Sequence, residues 1–119
     1  MAFKLNHVHL KTPDPKATAK FYMDNYGATY KQDMPNGTGV QLDLHGLQLN
    51  ITTKIPTQNH AQHYGIEHLA VTTNDYTAEL ARLRANGVEV LEELTGSSGL
   101  RVAFLASPDG AQMEIIETK

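Results

Sequence analysis

With 119 residues, 40% of them hydrophobic, the chain holds enough apolar material for one domain with a real core. A net charge of −3, with its ten basic residues scattered, argues against nucleic acid or another polyanion as partner; the lack of cysteine excludes disulfides, thiolate metal sites and a cysteine nucleophile. No apolar run approaches a membrane span, and Met1-Ala2-Phe3-Lys4 leads straight into a strand pattern without signal-peptide character, so a cytoplasmic location is expected.

The first strand is predicted over Leu5–Lys11, where Val8 and Leu10 alternate with Leu5, His7, His9 and Lys11. Thr12-Pro13-Asp14-Pro15 ends it and starts a helix, with Asp14 as N-cap and Pro15 in the first helical position. That helix reaches about Asn25, with Thr18, Phe21, Tyr22 and Tyr26 as its expected buried stripe and Gly27 as its left-handed cap. Strands follow near Thr29–Met34, Thr38–Leu44 and Leu47–Thr53, joined by turns at Asn36-Gly37 and His45-Gly46. Residues 55–65 lack periodicity and read as a linker.

The order then restarts. Ile66–Thr73 reads as a strand, with Leu69 and Val71 opposite Ile66, His68 and Ala70. Asn74-Asp75 caps a helix to about Asn86, buried through Tyr76, Leu80 and Leu83 and closed by Gly87. Val88–Leu94, Leu100–Ala106 and Ala111–Glu117 are the last three strands. Thr95–Gly99 makes a wide turn between the first two, read as a mobile lid or a plain turn, and Pro108-Asp109-Gly110 turns into the last strand.

The chain is therefore expected to be α+β, two tandem βαβββ modules forming a pseudo-symmetric cleft: module one about 1–54, module two about 66–119. The repeat shows in matched positions: His7 and His68 lie 61 apart, Gly27 and Gly87 60 apart, Gly46 and Gly110 64 apart. Gln48, Asn50 and Ile51 fall on Gln112, Glu114 and Ile115 in the same way.

In each module the apolar face of the outer strands must meet the helix, which leaves His7, Asn50, His68 and Glu114 on the opposite face. Two imidazoles and a carboxylate on rigid strands suit a divalent ion, Zn, Ni, Fe, Mn or Co. The plainer reading of any one of these histidines is a solvated or hydrogen-bonded strand residue; their matched placement in the repeat favours His7, His68 and Glu114 as ligands.

The pattern resembles the vicinal oxygen chelate superfamily, which includes glyoxalase I, methylmalonyl-CoA epimerase, extradiol dioxygenases, and fosfomycin- and bleomycin-resistance proteins. The resemblance rests on Leu5-Asn6-His7-Val8-His9-Leu10, Phe21-Tyr22 with Gly27, Gly65-Ile66-Glu67-His68-Leu69-Ala70-Val71, and Pro108-Asp109-Gly110 through Glu117. It implies a metal held by His7, His68 and Glu114, with Asn50 at the fourth position, where relatives carry an acid or a glutamine. Asn50 has three possible roles: it coordinates through its carbonyl oxygen, donates to a bound water or lines the cavity, with Gln48 as its same-face substitute. Further candidates for contact with substrate are His9, Tyr64 with His63, and Lys11 and Arg101 as holders of an anionic group. His60 and His63 read as solvated loop residues.

By the same resemblance the leading function is a glyoxalase-like lyase or isomerase with Glu114 as catalytic base, stabilising an enediolate of a small substrate chelated through neighbouring oxygens. The alternatives are an Fe(II) dioxygenase with two histidines and a carboxylate, and a non-enzymatic protein that sequesters a ligand or antibiotic. A homodimer is expected, because each module has sheet edges to cover.

Overall fold

Asp14 and Gly27 bracket the first helix as their chemistry demands. The Asp14 carboxylate accepts from the Ala17 amide at 3.2 Å, and Gly27 takes φ +75°. The computed structural model describes residues 3–108 and 111–119, so Asp109 and Gly110 of the expected Pro108-Asp109-Gly110 turn lie outside the described residues. Its elements run twice through βαβββ. The first round is β1 (Phe3–Lys11), α1 (Pro15–Tyr26), β2 (Thr29–Asp33), β3 (Gly39–Leu44) and β4 (Leu47–Thr52). The second is β5 (Gly65–Thr73), α2 (Tyr76–Ala85), β6 (Val90–Thr95), β7 (Arg101–Ala106) and β8 (Gln112–Glu117).

The described chain forms two compact units, His7–Glu67 and residues 3–6 with His68–Lys119. In the first, β3 pairs antiparallel with β2 and β4, and β1 lies parallel to β4 with Val8 opposite Leu49 and His9 opposite Asn50. Leu10, Val40, Leu42, Leu49 and Ile51 pack with Ala19 of α1. The expected helix stripe is corrected here. Ala19 is the residue that meets the core, Tyr22 and Met23 flank it, and Phe21 and Tyr26 are 51% and 58% exposed. A small side chain lets the helix approach the sheet closely, while the rings of Phe21, Tyr22 and Tyr26 pack on one another instead.

In the second unit β7 pairs antiparallel with β6 and β8, and β5 lies parallel to β8. Its core gathers Tyr76, Leu80, Ala103, Leu105 and Ile115, with Val71 and Met113 at its margin. Leu69, expected on that face, stands outside the core and exposed; Val71, one pleat further along β5, is the residue that packs. Asp75 occupies the N-cap of α2 without a capping bond, its amide donating to Thr73 Oγ1 at 3.0 Å. β6 starts two residues later than expected, because the Val88 amide still completes the helix end on Leu83 O. The Thr95–Gly99 segment is a closed turn, held by Gly96 N–Leu100 O and Gly99 N–Gly96 O bonds of 2.9 Å each.

Candidate metal and substrate site

Alternation along β1 carries Val8 and Leu10 to the helix side and His7, His9 and Lys11 to the other, where all three are buried. The His7 and His9 rings lie 5.8 Å apart. His9 Nε2 is 2.7 Å from Thr52 Oγ1, and Thr52 gives its only hydroxyl proton to Thr53 O at 2.8 Å. Thr52 can therefore only accept from the imidazole. His9 Nε2 carries a proton, and in the neutral ring Nδ1 holds the lone pair.

Asn50 faces the same way, buried opposite His9. Gln48 Nε2 reaches Asn50 Oδ1 at 3.3 Å, and Lys31 Nζ reaches Gln48 Oε1 at 2.9 Å. Lys11, expected to hold an anionic substrate group, is 1% exposed and turned to protein partners instead. Its ammonium donates to Gln58 Oε1 at 3.0 Å and to Gln62 Oε1, with Glu67 Oε2 at 3.5 Å. Gln62 in turn bonds both the amide and the carbonyl of Ile55, at 2.7 and 2.9 Å. Lysine and loop are thereby pinned together. Tyr64 is half exposed beneath Lys54 Nζ and lines a cavity of about 260 Å³ with Leu10, Thr18 and Tyr22. His60, expected to be solvated, is buried, whereas His63 is exposed and bonds Ile66 O at 3.2 Å.

In the second unit the two predicted residues meet. His68 Nε2 lies 3.2 Å from Glu114 Oε1, with side chains 2% and 14% exposed. The register explains the contact. Glu114 stands opposite Ala70, whose methyl leaves room, and reaches along the strand to His68 one pleat away. Phe104, opposite Glu114 on β7, presents its ring at 82° to the His68 imidazole with centroids 5.6 Å apart. Gln112, opposite His68, is buried beside them.

Arg101, expected at the substrate, is on the other side of this sheet. It forks onto Glu117 at 3.0 and 2.8 Å and lies over the Tyr76 ring of α2 at 4.4 Å. Its side-chain bond and its backbone amide hold the Glu117 carboxyl down at about 2. Burial, reinforced by the neighbouring Glu93 carboxylate, pushes the Tyr76 phenol up to about 12.

Phe104, Thr52 and Glu67 were missed as site neighbours. Alternation alone could have found Phe104, since Ala103 and Leu105 take the core face of β7. Nothing local marks Glu67, whose partner Lys11 is remote in sequence.

His7, His9 and His68 are buried imidazoles able to serve as metal ligands. The His68–Glu114 spacing fits two donors on a common ion, since bonds of about 2.1 Å place neighbouring ligand atoms roughly 3.0–3.4 Å apart.

Residues 4–115 match the family model described as the Glyoxalase/Bleomycin resistance protein/Dioxygenase superfamily. A lactoylglutathione lyase of Schizosaccharomyces pombe is 24% identical over 98% of the chain, which spans only 46% of that relative. Among solved structures, a hypothetical protein of Bacillus halodurans superposes with TM-score 0.75 at 20% identity, covering 100% of this chain and 96% of that one. A Streptomyces coelicolor methylmalonyl-CoA epimerase in complex with 2-nitronate-propionyl-CoA superposes with TM-score 0.62 at 28% identity, over 97% and 96% of the two chains.

Proposed function

The chain belongs to the glyoxalase/bleomycin resistance protein/dioxygenase superfamily, and from that premise we propose a metal-dependent isomerase or lyase that moves a proton on the carbon beside a thioester or related carbonyl. The observation that carries this reading is the buried His68–Glu114 pair, with His7 at the matching position of the first repeat. His7, His68 and Glu114 would hold the divalent ion, a set of nitrogen and oxygen donors suited to Zn, Ni, Fe, Mn or Co. When bound, such an ion supplies Lewis-acid stabilisation of negative charge on a substrate oxygen.

Glu114 takes the proton from the carbon; in a glyoxalase-like reaction it returns it to the neighbouring carbon, and in an isomerase that inverts the carbon a second acid on the opposite face supplies the new proton. Phe104 keeps water from one side of the His68 ring. The substrate class follows the relatives' names, since lactoylglutathione and methylmalonyl-CoA are both thioesters with a proton on the adjacent carbon.

The test is deuterium wash-in from D₂O at that carbon, using both thioesters and protein loaded with each metal in turn. Wild type should exchange, and Glu114→Gln should slow exchange by roughly 10²–10⁴-fold, the usual contribution of a positioned acid–base group. Exchange that survives both Glu114→Gln and chelation overturns the proposal. Two histidines and a carboxylate also suit a non-haem Fe(II) dioxygenase, and oxygen uptake without exchange would select that reading. Stoichiometric ligand binding by metal-free protein with neither activity would select a sequestering role.

The proposal includes a homodimer, supported by the exposed rings of Phe21, Tyr26 and Tyr30. Sedimentation should give twice the 13.1 kDa chain mass, and a concentration-independent monomer removes this part.

A further inference from the structure

The amide of Asn50 has a fixed direction. An ammonium only donates, so the Gln48 atom that meets Lys31 Nζ at 2.9 Å is the carbonyl oxygen Oε1. Gln48 is left with Nε2 toward Asn50, and the Asn50 atom it reaches at 3.3 Å must accept. That atom is Oδ1. The chain of donors beginning at Lys31 thus turns the oxygen of Asn50 along β4 toward Gln48, where it accepts on one of its two lone pairs, and leaves the Nδ2 hydrogens directed away from Gln48.

An amide nitrogen has no lone pair to give a metal, whereas its two hydrogens are suited to a carbonyl, carboxylate or enolate oxygen. We infer that Asn50 grips an oxygen of the substrate through Nδ2–H and is not a metal ligand. The inference rests on the reading of the site as a metal-dependent thioester enzyme. It changes the role of the fourth position of the repeat: the first module supplies a donor to substrate where the second supplies a carboxylate. The same relay makes Gln48 and Lys31 positioning residues, acting only through the orientation of Asn50.

Cobalt binding and kinetics test it together. Asn50→Ala should leave Co²⁺ affinity within about twofold of wild type and its d–d absorption unchanged. The same variant should raise KM for the thioester roughly 10- to 100-fold, the loss expected for a hydrogen bond to a charged or strongly polarised oxygen. Gln48→Glu is the second variant. A glutamate still accepts from Lys31, but it offers only lone pairs to Asn50, so the amide must flip and present Oδ1. That variant should raise KM like Asn50→Ala and also tighten Co²⁺ binding. Asn50→Ala that loses Co²⁺ or shifts its bands makes Asn50 a ligand and overturns the inference, as does an unchanged KM in both variants. Wild type that binds no Co²⁺ removes the metal reading itself, and the inference with it.

Discussion

Gly39 shows how a residue far from any chemistry sets the site. Its role is one of distance: a Cβ there would fall 1.8 Å from Ile51 O and 2.8 Å from Thr52 Cα, so β3 approaches β4 through a gap only glycine allows. Ile51 sits in the core next to Asn50, and a displaced β4 would carry both away from their partners. Gly39→Ala should cost about 3 kcal/mol, the upper end for overpacking, read as a fall in the urea midpoint. A wild-type midpoint would mean that the strands do not approach this closely. Glu117 bears on stability through charge. Its carboxyl titrates near 2 rather than at the ordinary 4.5, because Arg101 and a backbone amide favour the ionised form. A carboxyl lowered on folding contributes stability that is complete above the unfolded value and is lost as pH falls through the folded one. Between about pH 5 and pH 2 the wild type should therefore lose more stability than Arg101→Gln, whose Glu117 titrates closer to normal. Parallel acid limbs in the two proteins would show that the fork does not hold in solution.

At the scale of elements, the buried ion pair tying β1 to the start of β5 is the connection most exposed to test. Lys11→Met leaves the Glu67 carboxylate buried without its ammonium, and should cost about 3–5 kcal/mol. Adding Glu67→Leu should recover part of that, because the carboxylate that lost its ammonium goes with it. Recovery in the double variant, followed by thermal melting, separates loss of charge pairing from loss of packing; a double variant no better than Lys11→Met would point to packing. None of this was legible in the sequence. Lys11 reads as a strand lysine facing solvent or substrate, and its partners Gln58, Gln62 and Glu67 belong to a loop without periodicity and to the strand expected after it. Most strands were legible because they bury one face, so alternation and the turn residues at His45-Gly46 carry the signal, whereas β2 is exposed along its whole length. So was the His68–Glu114 pair, because the repeat marks both positions. The stripe of α1 was not, since hydrophobicity favours Phe21 and Tyr26 while close helix packing favours Ala19. The direction of the Asn50 amide was hidden for a similar reason: it depends on Lys31, which sequence assigns to another strand.

For the whole molecule, the proposed ligand set has a thermodynamic consequence. His7 belongs to the unit His7–Glu67, whereas His68 and Glu114 belong to the other. An ion held by all three would stabilise both units at once, because it binds only when each is folded. At a free metal concentration of 100 times Kd the gain is about 2.7 kcal/mol, or roughly 10 °C in melting temperature for a chain of this size. Chelation should reverse it. Hydrogen exchange tells whether the gain is shared. Amides of Ala103, Leu105 and Ile115, in the core of the second unit, should gain protection on metal addition to wild type. His7→Ala changes no residue of that unit, yet it should abolish the gain there if the ion needs His7. If those amides gain as much in His7→Ala as in wild type, the ion is held by His68 and Glu114 without the first unit, and the three-ligand site is wrong.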